Sequence, residues 1–441
     1  MALSGILLEE DKYIARSKEL GQTALEYFSN ENKLLFGEGK PWTKKSPKGC
    51  LPIDLGYNVE ESLVNLFLYS KLMNEPKIME VLKASLTSHL EFMLPDGAWD
   101  NSWGTRNYKW TYWGSRTTDG CQAAYGILGI EDPIFSEASF RNLQLLKKCT
   151  HEGILYGGPH FKIHGLSPSI HHTFCHAKAL ATALIYGAKP PLKYEQLPRE
   201  TARGIRYFSE IDTYLVSNEN WKATVTGYDW TYMDNSHASG GAISLLWHKK
   251  IGPIVTASLT EYQLIERDNM QPMHEAFSMP LTPRIETIIN GIIYHSINDL
   301  EANIQSKKEK DCFTVIAKGK LVNNKYQSPE SGEILVSLVY QFFANEVKLK
   351  IKIISGLGSN EASYILPIIC SANEKDSIDD KGNISIQKEG GVLNISANVP
   401  ANILNEGKRV FNHVPGFEAL PVKYKLEKSK NNELVTTFKV T

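Results

Sequence analysis

The spacing of apolar residues divides the chain into two parts. From about Glu9 to Gly187, apolar side chains recur every three or four residues, which predicts amphipathic helices. The clearest stripes are Leu63, Leu66 and Phe67; Ile78, Leu82, Leu86, Leu90 and Met93; and Phe174, Ala177, Ala181 and Leu184. The segments 94–120 and 153–169 lie between helices and are long for connectors, and long loops are often functional. A helical first part with functional loops is therefore expected.

The pattern changes after the proline-containing segment 188–200. Beyond it, apolar and polar residues alternate, as in Val347 to Ile353 and in Val422 to Leu426, and this period of two is typical of half-buried strands. Turn sequences such as Glu389-Gly390-Gly391 separate the runs. The sequence therefore predicts an α+β chain, with a helical domain at 1–200 and an antiparallel β domain at 201–441.

Composition narrows the classes of partner. The chain has 441 residues, and its 48 basic and 49 acidic residues nearly cancel, so we expect neither a nucleic-acid partner nor a membrane partner that is recognised through a large uniform charge. An anionic ligand would need a local basic site.

The six cysteines are scattered without a C-x-x-C pair, which favours buried free thiols. No apolar run approaches a membrane span, and Met1 to Glu10 lacks the pattern of a signal peptide, although a chain that begins after a removed export signal would look the same.

The most unusual stretch runs from Gly97 to Asp119 and holds four of the eight tryptophans. Tryptophan faces can stack on sugar rings, and arginine can donate two parallel hydrogen bonds to a carboxylate. The candidate substrate-binding and carboxylate-holding residues here are Trp103, Trp110, Trp113, Asn101, Arg106, Asn107 and Arg116. The alternative is that several of these aromatic side chains only close one end of the helical domain.

A second stretch, Gly158 to His176, places five of the twelve histidines within seventeen residues. If a helix starts near Pro168, His172 and His176 share one face and His171 points about a hundred degrees away. Two imidazoles one turn apart can bind zinc, but the stretch has no acidic residue and no third ligand, so we expect no bound metal. A histidine that accepts a proton or holds a carboxylate is the preferred interpretation, and a structural role is the alternative.

A third stretch, Trp221 to Gly241, predicts a strand that ends at Gly227 and a returning strand from Ala242 to Trp247. The tip between them presents Tyr228, Trp230, Tyr232, Asn235 and His237. Tyrosine is also an ordinary strand residue, so a structural role for either tyrosine stays open.

These stretches resemble the two-domain polysaccharide lyases of the heparinase and alginate lyase type. Ser169 to His176 is similar to the helix start of that family's toroid domain, and Trp221 to Tyr232 is similar to the strand that supplies its catalytic tyrosine. The resemblance implies an incomplete (α/α) toroid followed by an antiparallel β-sandwich. Two positions depart from the family pattern, because Ile170 rather than an asparagine precedes His171, and Asn235 to Ser239 replaces a basic motif. Neutralisation of the carboxylate therefore passes to Asn101, Arg106, Arg116 or a histidine.

The implied reaction is β-elimination of a 4-linked uronic acid. The C5 proton becomes acidic enough only when the neighbouring carboxylate is neutralised, a base then removes it, and an acid protonates the departing O4. Tyr228 is the first choice as base or acid, with His172 as its partner and His171 beside it. Tyr232 is the substitute for Tyr228, and His237 is expected to bind substrate.

Two other functions stay open from the sequence. A glycoside hydrolase would use two carboxylates, for which Asp96, Asp100 and Asp119 are candidates. A carbohydrate-binding protein without turnover would use the aromatic loop as a platform. The preferred expectation is a lyase without a cofactor, acting in the periplasm or outside the cell on a uronate-containing oligo- or polysaccharide, with glucuronate as the preferred uronic acid.

Overall fold

The structure is a computed structural model that describes residues 1–37, 42–105, 120–168, 170–232, 234–258, 279–413, 415–426, 431 and 433–441, and the backbone of 110–111 and 114–115. The first part of the chain is helical. Its α-helices are α1 (Ala2–Leu7), α2 (Asp11–Ala24), α3 (Leu55–Tyr57), α4 (Leu63–Met73), α5 (Pro76–Leu90), α6 (Gln122–Leu128), α7 (Pro133–Lys148), α8 (Ile170–Ile185) and α9 (Pro198–Thr201). Helix α4 packs on α5 and α6, and α6 packs on α7 and α8.

Local chemistry explains where several helices begin and end. Asp132 accepts a hydrogen bond from the amide of Ile134 (3.1 Å) and Pro133 occupies the first turn of α7, which are both favoured at a helix start. Asn74 adopts a left-handed conformation (φ 54°) that ends α4. Between α3 and α4, residues Asn58–Ser62 form a π-helical turn, a feature frequent at functional sites.

Two of the predicted helical stripes are buried and the third is not. Ile78, Leu82, Leu86 and Leu90 of α5 are fully buried. In α8, by contrast, Phe174 and Leu184 are each 72% exposed, and the buried face carries His172, His176, Ala179 and Ala183. The prediction that the apolar stripe is the buried face of this helix was therefore wrong, because the histidine face of α8 turns toward the interior.

The second part of the chain is built from antiparallel strands. Two short hairpins precede it, β1 (Trp110–Thr111) with β2 (Gly114–Ser115) and β3 (Thr150–His151) with β4 (Ile154–Leu155). The next strands are β5 (Gly204–Phe208), β6 (Thr213–Asn218), β7 (Trp221–Thr226), β8 (Ala242–His248) and β9 (Gly252–Thr256). They are followed by β10 (Arg284–Ile289), β11 (Ile292–His295), β12 (Asn303–Lys308), β13 (Cys312–Lys320), β14 (Leu335–Phe343), β15 (Glu346–Ser355), β16 (Ala362–Ile369), β17 (Lys375–Ile378), β18 (Ile384–Lys388), β19 (Gly391–Ala397), β20 (Asn402–Ile403), β21 (Val410–Asn412), β22 (Phe417–Lys425) and β23 (Glu433–Val440).

These strands form three sheets. Strands β5 to β9 are paired in chain order, a second sheet has the order β12-β13-β14-β15-β23-β19-β18-β17, and a third has the order β11-β10-β16-β22-β20 with β21 on β22. One apolar core draws residues from all three sheets. The predicted fold class, helices followed by an antiparallel β region, is confirmed.

The predicted alternation and hairpin are also confirmed. In β15, Val347, Leu349 and Ile351 are fully buried while the intervening lysines face outward. Strand β7 pairs antiparallel with β8, as Trp221 to Gly227 and Ala242 to Trp247 predict.

The two parts share a core at their junction. The helical core includes Phe208, Ile211, Leu215 and Tyr228, which all come from the β part. The helices end with α9 at Thr201 and the strands begin with β5 at Gly204. The domain limits 1–200 and 201–441 stay a prediction, since the packing is continuous across them.

Two chain-wide expectations can be compared with the described residues. All six cysteines are free thiols, and Cys175 alone among them is not buried. Within the described part of the chain, none of the helices is both long and apolar enough to cross a membrane.

Candidate active site

The start of the aromatic loop packs into the helical core. Trp99 is fully buried against Tyr125 with ring centroids 5.5 Å apart, and Trp103 lies 4.8 Å from Phe92 and 6.5 Å from Tyr228. Because Trp103 is only 1% exposed, its ring offers no face to a sugar. We therefore replace its expected substrate-binding role by a packing role, which is the structural alternative that the sequence left open.

Asn101 differs from its neighbours in this loop. Its backbone amide donates to the carbonyl of Trp99 (3.0 Å), but its side-chain nitrogen and oxygen are both out of solvent and have no hydrogen-bond partner among the described residues. An unsatisfied buried amide costs about 1–3 kcal/mol, so it calls for an explanation. A ligand carboxylate or hydroxyl that completes the amide is the explanation that fits the expected role of Asn101.

The rest of the aromatic loop is described only at its two ends. Arg106, Asn107, Trp113, Arg116 and Asp119, and the side chain of Trp110, lie outside the described residues. The loop leaves from Thr105, whose carbonyl accepts a hydrogen bond from Ser236 in the hairpin tip (3.1 Å). It returns at Gly120, where an added Cβ would lie 2.8 Å from Nδ1 of His176. The two described ends of the loop, Thr105 and Gly120, therefore lie beside the hairpin tip and the histidine helix.

The histidines at the start of α8 take the orientation that their spacing predicts. His172 and His176 are 2% and 4% exposed on the inner face, while His171 is exposed and its Nε2 lies 3.7 Å from Sγ of Cys175. The rings of His171 and His172 meet edge to face at 5.5 Å. Of the two catalytic candidates on this helix, His172 is thus the one on the inner face.

The two earlier histidines belong to a different environment. His160 accepts a hydrogen bond from the amide of Glu418 (3.0 Å), and the ring of His164 stacks on Phe411 at 4.2 Å. Burial and the charge of Lys388 lower the pKa of His160 to about 3, so this imidazole is neutral at physiological pH. His160 therefore packs as a neutral ring against the β part, which is the structural role that the sequence left open for these histidines.

Tyr228 is an anchor between the two parts of the chain. Its hydroxyl donates to the carbonyl of Leu51 (2.8 Å) and accepts from the amide of Ile53 (3.2 Å), and the side chain is fully buried. Burial raises the pKa of Tyr228 well above its ordinary value. A hydroxyl in this position is neither accessible nor easily ionised, so the structure argues against Tyr228 as the base or acid.

His237 lies beside Tyr228 and is equally enclosed. The rings are 5.1 Å apart, Nε2 lies 3.1 Å from the carbonyl of Trp230, and Nδ1 lies 3.3 Å from the carbonyl of Ala238. Burial lowers the pKa of His237. Both ring nitrogens face backbone carbonyls, to only one of which a neutral imidazole can donate, and the side chain is buried. We therefore replace its expected substrate contact by a role in shaping the hairpin tip.

Tyr232, the substitute candidate, lines a cavity of about 760 Å³ at the junction of the two parts. The residues that line the cavity include Trp42, Lys44, Lys45, Trp230 and Tyr326. This volume lies within the range of about 300–1,000 Å³ that is usual for ligand sites. Of the two tyrosines considered from the sequence, Tyr232 is therefore the one that can meet a ligand.

Two of the three carboxylates of the hydrolase alternative are committed to structural bonds. Asp100 pairs with Arg199 (Oδ2 to Nη1, 2.6 Å) and also accepts from Ser102 and Thr224. Asp96 accepts from the indole of Trp247 (3.1 Å) and from the amide of Ala98 (3.2 Å). Neither carboxylate is available to flank a glycosidic bond.

Two features were missed in the sequence. Glu60 is a fully buried carboxylate in the π-helical turn, close enough to Cys121 for its charge to help raise the pKa of that thiol. Its signal was an acidic pair, Glu60 and Glu61, inside an apolar helical run. The other is the segment from Trp42 to Lys48, where a tryptophan followed by three lysines was the available signal.

The described residues contain no cluster of side chains that could form a metal site. No group of three or more histidine, cysteine, aspartate or glutamate side chains there is arranged to hold a metal ion.

Comparison with known proteins assigns the chain to a family. Residues 1–201 match the profile of the ulvan lyase N-terminal domain and residues 205–441 match that of the ulvan lyase C-terminal domain. A broad-specificity ulvan lyase of Formosa agariphila is 39% identical over 426 residues, which cover 95% of this chain and 66% of that protein. The chain thus spans slightly less than two thirds of the length of this relative.

Solved structures show weaker likeness. A chondroitin AC lyase of Streptomyces coelicolor in complex with chondroitin sulphate is 10% identical, with a TM-score of 0.33, and the match covers 87% of this chain and 61% of that one. A 4-alpha-glucanotransferase of Thermococcus litoralis is 11% identical, with a TM-score of 0.36, over 86% and 55% of the two chains. The assignment rests on the profiles and the sequence relative: the chain belongs to the ulvan lyase family, and the resemblance to two-domain polysaccharide lyases is confirmed.

Proposed function

We propose that this protein is a polysaccharide lyase that cleaves a uronate-containing glycan by β-elimination. The observation that carries the proposal is the amide of Asn101, which is held out of solvent beside the aromatic loop without a partner among the described residues. An amide in this state can donate to the uronate carboxylate and lower the cost of forming the carbanion at C5. Membership of the ulvan lyase family supports the same reaction class.

The remaining roles are proposed for candidates that the sequence identified. Arg116 is proposed to share the neutralisation of the carboxylate with Asn101. His172, on the inner face of α8, and Tyr232, on the cavity wall, are proposed as the base and acid pair. The base takes the C5 proton, the C4–O4 bond breaks as the C4–C5 double bond forms, and the acid returns a proton to O4.

The proposed substrate class is an anionic polysaccharide that contains uronic acid, and ulvan is the first to test because the Formosa agariphila relative is named for it. A polymer of this kind is met outside the cytoplasm, so a periplasmic or secreted location is proposed with it. No cofactor is required for this chemistry.

The test is product analysis on a panel of uronate glycans that includes ulvan. A lyase generates ultraviolet absorbance from the new double bond and incorporates no oxygen from ¹⁸O-labelled water. Cleavage with incorporation of labelled oxygen, and without absorbance, would show a hydrolase instead. Retention of the glycan without any product over long incubation would show a binding protein.

A further inference from the structure

One wall of the cavity beside Tyr232 is formed by residues that have no role in the proposed reaction. Trp42 and Trp230 meet there edge to face, with ring centroids 6.2 Å apart, and 40% of Trp42 remains exposed. A partly exposed indole at a cavity wall is a large apolar surface left in water. We propose that one anionic sugar residue binds in a subsite formed by Trp42, Trp230, Lys44 and Lys45. This proposal rests on the proposed lyase function and adds a substrate-positioning role to it.

The wall is preorganised rather than loosely attached. The indole nitrogen of Trp230 donates to the carbonyl of Lys44 (2.9 Å), which fixes the ring against the segment from Trp42 to Lys48. The carboxylate of Asp229 accepts from the amide of Lys48 (3.0 Å) and from the hydroxyl of Ser46. A site whose parts are already ordered loses less entropy when it binds.

The charges on this wall favour an anion. Lys48 is engaged by Asp212 and by the carbonyls of Gly227 (2.8 Å) and Ala302 (3.0 Å). Lys44 and Lys45, by contrast, are exposed and form no ion pair with any residue in the described ranges.

The acidic groups of the cavity are held by contacts within the protein. Asp299 accepts from the amides of Lys320 (2.8 Å) and Glu301 (3.0 Å), and the Glu301 carboxylate pairs with the ammonium of Lys320 (2.9 Å). Each acid therefore has a partner already, and the cations left for a ligand are Lys44 and Lys45.

The combination suits a charged sugar. A pyranose ring can pack its C–H groups on an indole face while lysine ammonium groups, which act as point charges, meet a carboxylate or a sulfate ester on the same residue. The shared chemistry is an anionic substituent on a sugar that stacks on Trp42. Tyr232 lines the same cavity, so such a subsite would hold the glycan next to this proposed acid or base.

Steady-state kinetics on ulvan test the subsite with matched variants. Trp42→Ala and the double variant Lys44→Ala/Lys45→Ala should each raise KM about ten-fold with kcat within two-fold, since an aromatic or ionic contact contributes about one factor of ten. Trp42→Phe should recover most of the loss, and the effect of the lysine variant should shrink at high salt. The control Lys147→Ala/Lys148→Ala removes an exposed lysine pair at the end of α7 and should behave as wild type. An unchanged KM in both test variants overturns the subsite.

Binding measurements identify the anionic group that the subsite recognises. They also test the subsite independently of lyase activity. Retardation of the wild-type protein in gels containing chondroitin sulphate but not unsulfated chondroitin would assign a sulfate ester, and equal retardation by both would assign the carboxylate. Equal retardation by neutral dextran would overturn the anionic sugar. If no glycan gives ultraviolet absorbance, the lyase function fails, and retardation by ulvan that is lost in Trp42→Ala would still support the subsite.

Discussion

Arg199 and Asp100 form an ion pair in the interior, with Nη1 2.6 Å from Oδ2 and side chains that are 1% and 0% exposed. Arg199 also donates to the carbonyl of Ala223 (2.9 Å) and to the hydroxyl of Thr224 (2.7 Å) in β7. The pair therefore joins the aromatic loop, helix α9 and the first sheet.

Removing one charge of this pair should destabilise the whole protein. Asp100→Asn leaves the Arg199 guanidinium buried without its counterion, for which the expected loss is about 3–5 kcal/mol in chemical denaturation. The control Glu19→Gln breaks the exposed pair with Arg16 and should cost less than about 1 kcal/mol. A hydrolase that used Asp100 would instead lose turnover without losing stability.

Substitution of the two candidate tyrosines should have different effects, one on stability and the other on catalysis. Tyr228→Phe leaves the amide of Ile53 and the carbonyl of Leu51 without the hydroxyl, which should cost about 1–3 kcal/mol of folding free energy while kcat is kept. Tyr232→Phe should lower kcat by about 10²–10⁴-fold with an unchanged Tm. The reverse result, with activity lost in Tyr228→Phe alone, would restore the original assignment from the sequence.

Asn101→Ala should lower kcat on ulvan by about 10²–10³-fold, the usual effect of losing one donor to a developing negative charge. Its Tm should be unchanged or higher, because the substitution removes a buried amide that has no partner among the described residues. Asn402→Ala, at an exposed position, is the control and should leave both quantities unchanged. A fall in Tm with unchanged kcat would assign Asn101 a purely structural role.

Lys222 should make stability depend on pH above neutrality. Its side chain is 2% exposed, its ammonium has no hydrogen-bond partner among the described residues, and burial with the charge of Arg199 lowers its pKa to about 8. Below pH 8 both the folded and the unfolded states carry the proton, so the cost of burying the charge is fully present. Between pH 8 and about 10.5 the unfolded state binds more protons, and this cost is relieved as pH rises.

Lys222→Met should accordingly stabilise the protein by on the order of 1–3 kcal/mol at pH 7, with a gain that shrinks as pH approaches 10.5. The measurement is the difference in unfolding free energy between variant and wild type across that range. A gain that stays constant with pH would mean that packing, and not the charge, causes it.

The sequence could predict which segments form helices and strands better than it could predict which face of each is buried. The alternation in Val347 to Ile353 specified a strand and its buried face, because a period of two leaves one choice of side. Helix α8 was predicted as a helix, but its inner face was assigned to Phe174 and Leu184 although it carries His172 and His176. Hydrophobicity alone cannot identify a helix face that turns polar side chains inward for contacts made with distant parts of the chain.

The same limit applies to the site. Tyr228 and Tyr232 have similar local sequences, and only the carbonyl of Leu51, far away in the chain, shows that one of them is committed to the interior. Asp100 likewise resembled a free carboxylate until Arg199 was placed beside it. Asn101 could be identified as a candidate because its residue type suits a carboxylate, but only the fold shows that its side-chain amide has no competing partner among the residues that the structure describes.

The core shared at the junction has a consequence for how such chains can be recombined. Phe208, Ile211, Leu215 and Tyr228 complete the apolar interior of the helical part although they follow its last helix. A chimera that exchanges the halves of two relatives at the α9–β5 connection would therefore pair one interior with foreign side chains at all four positions. The helical half would have to be inherited together with the chain as far as Tyr228, so the unit that can be exchanged is longer than its helices.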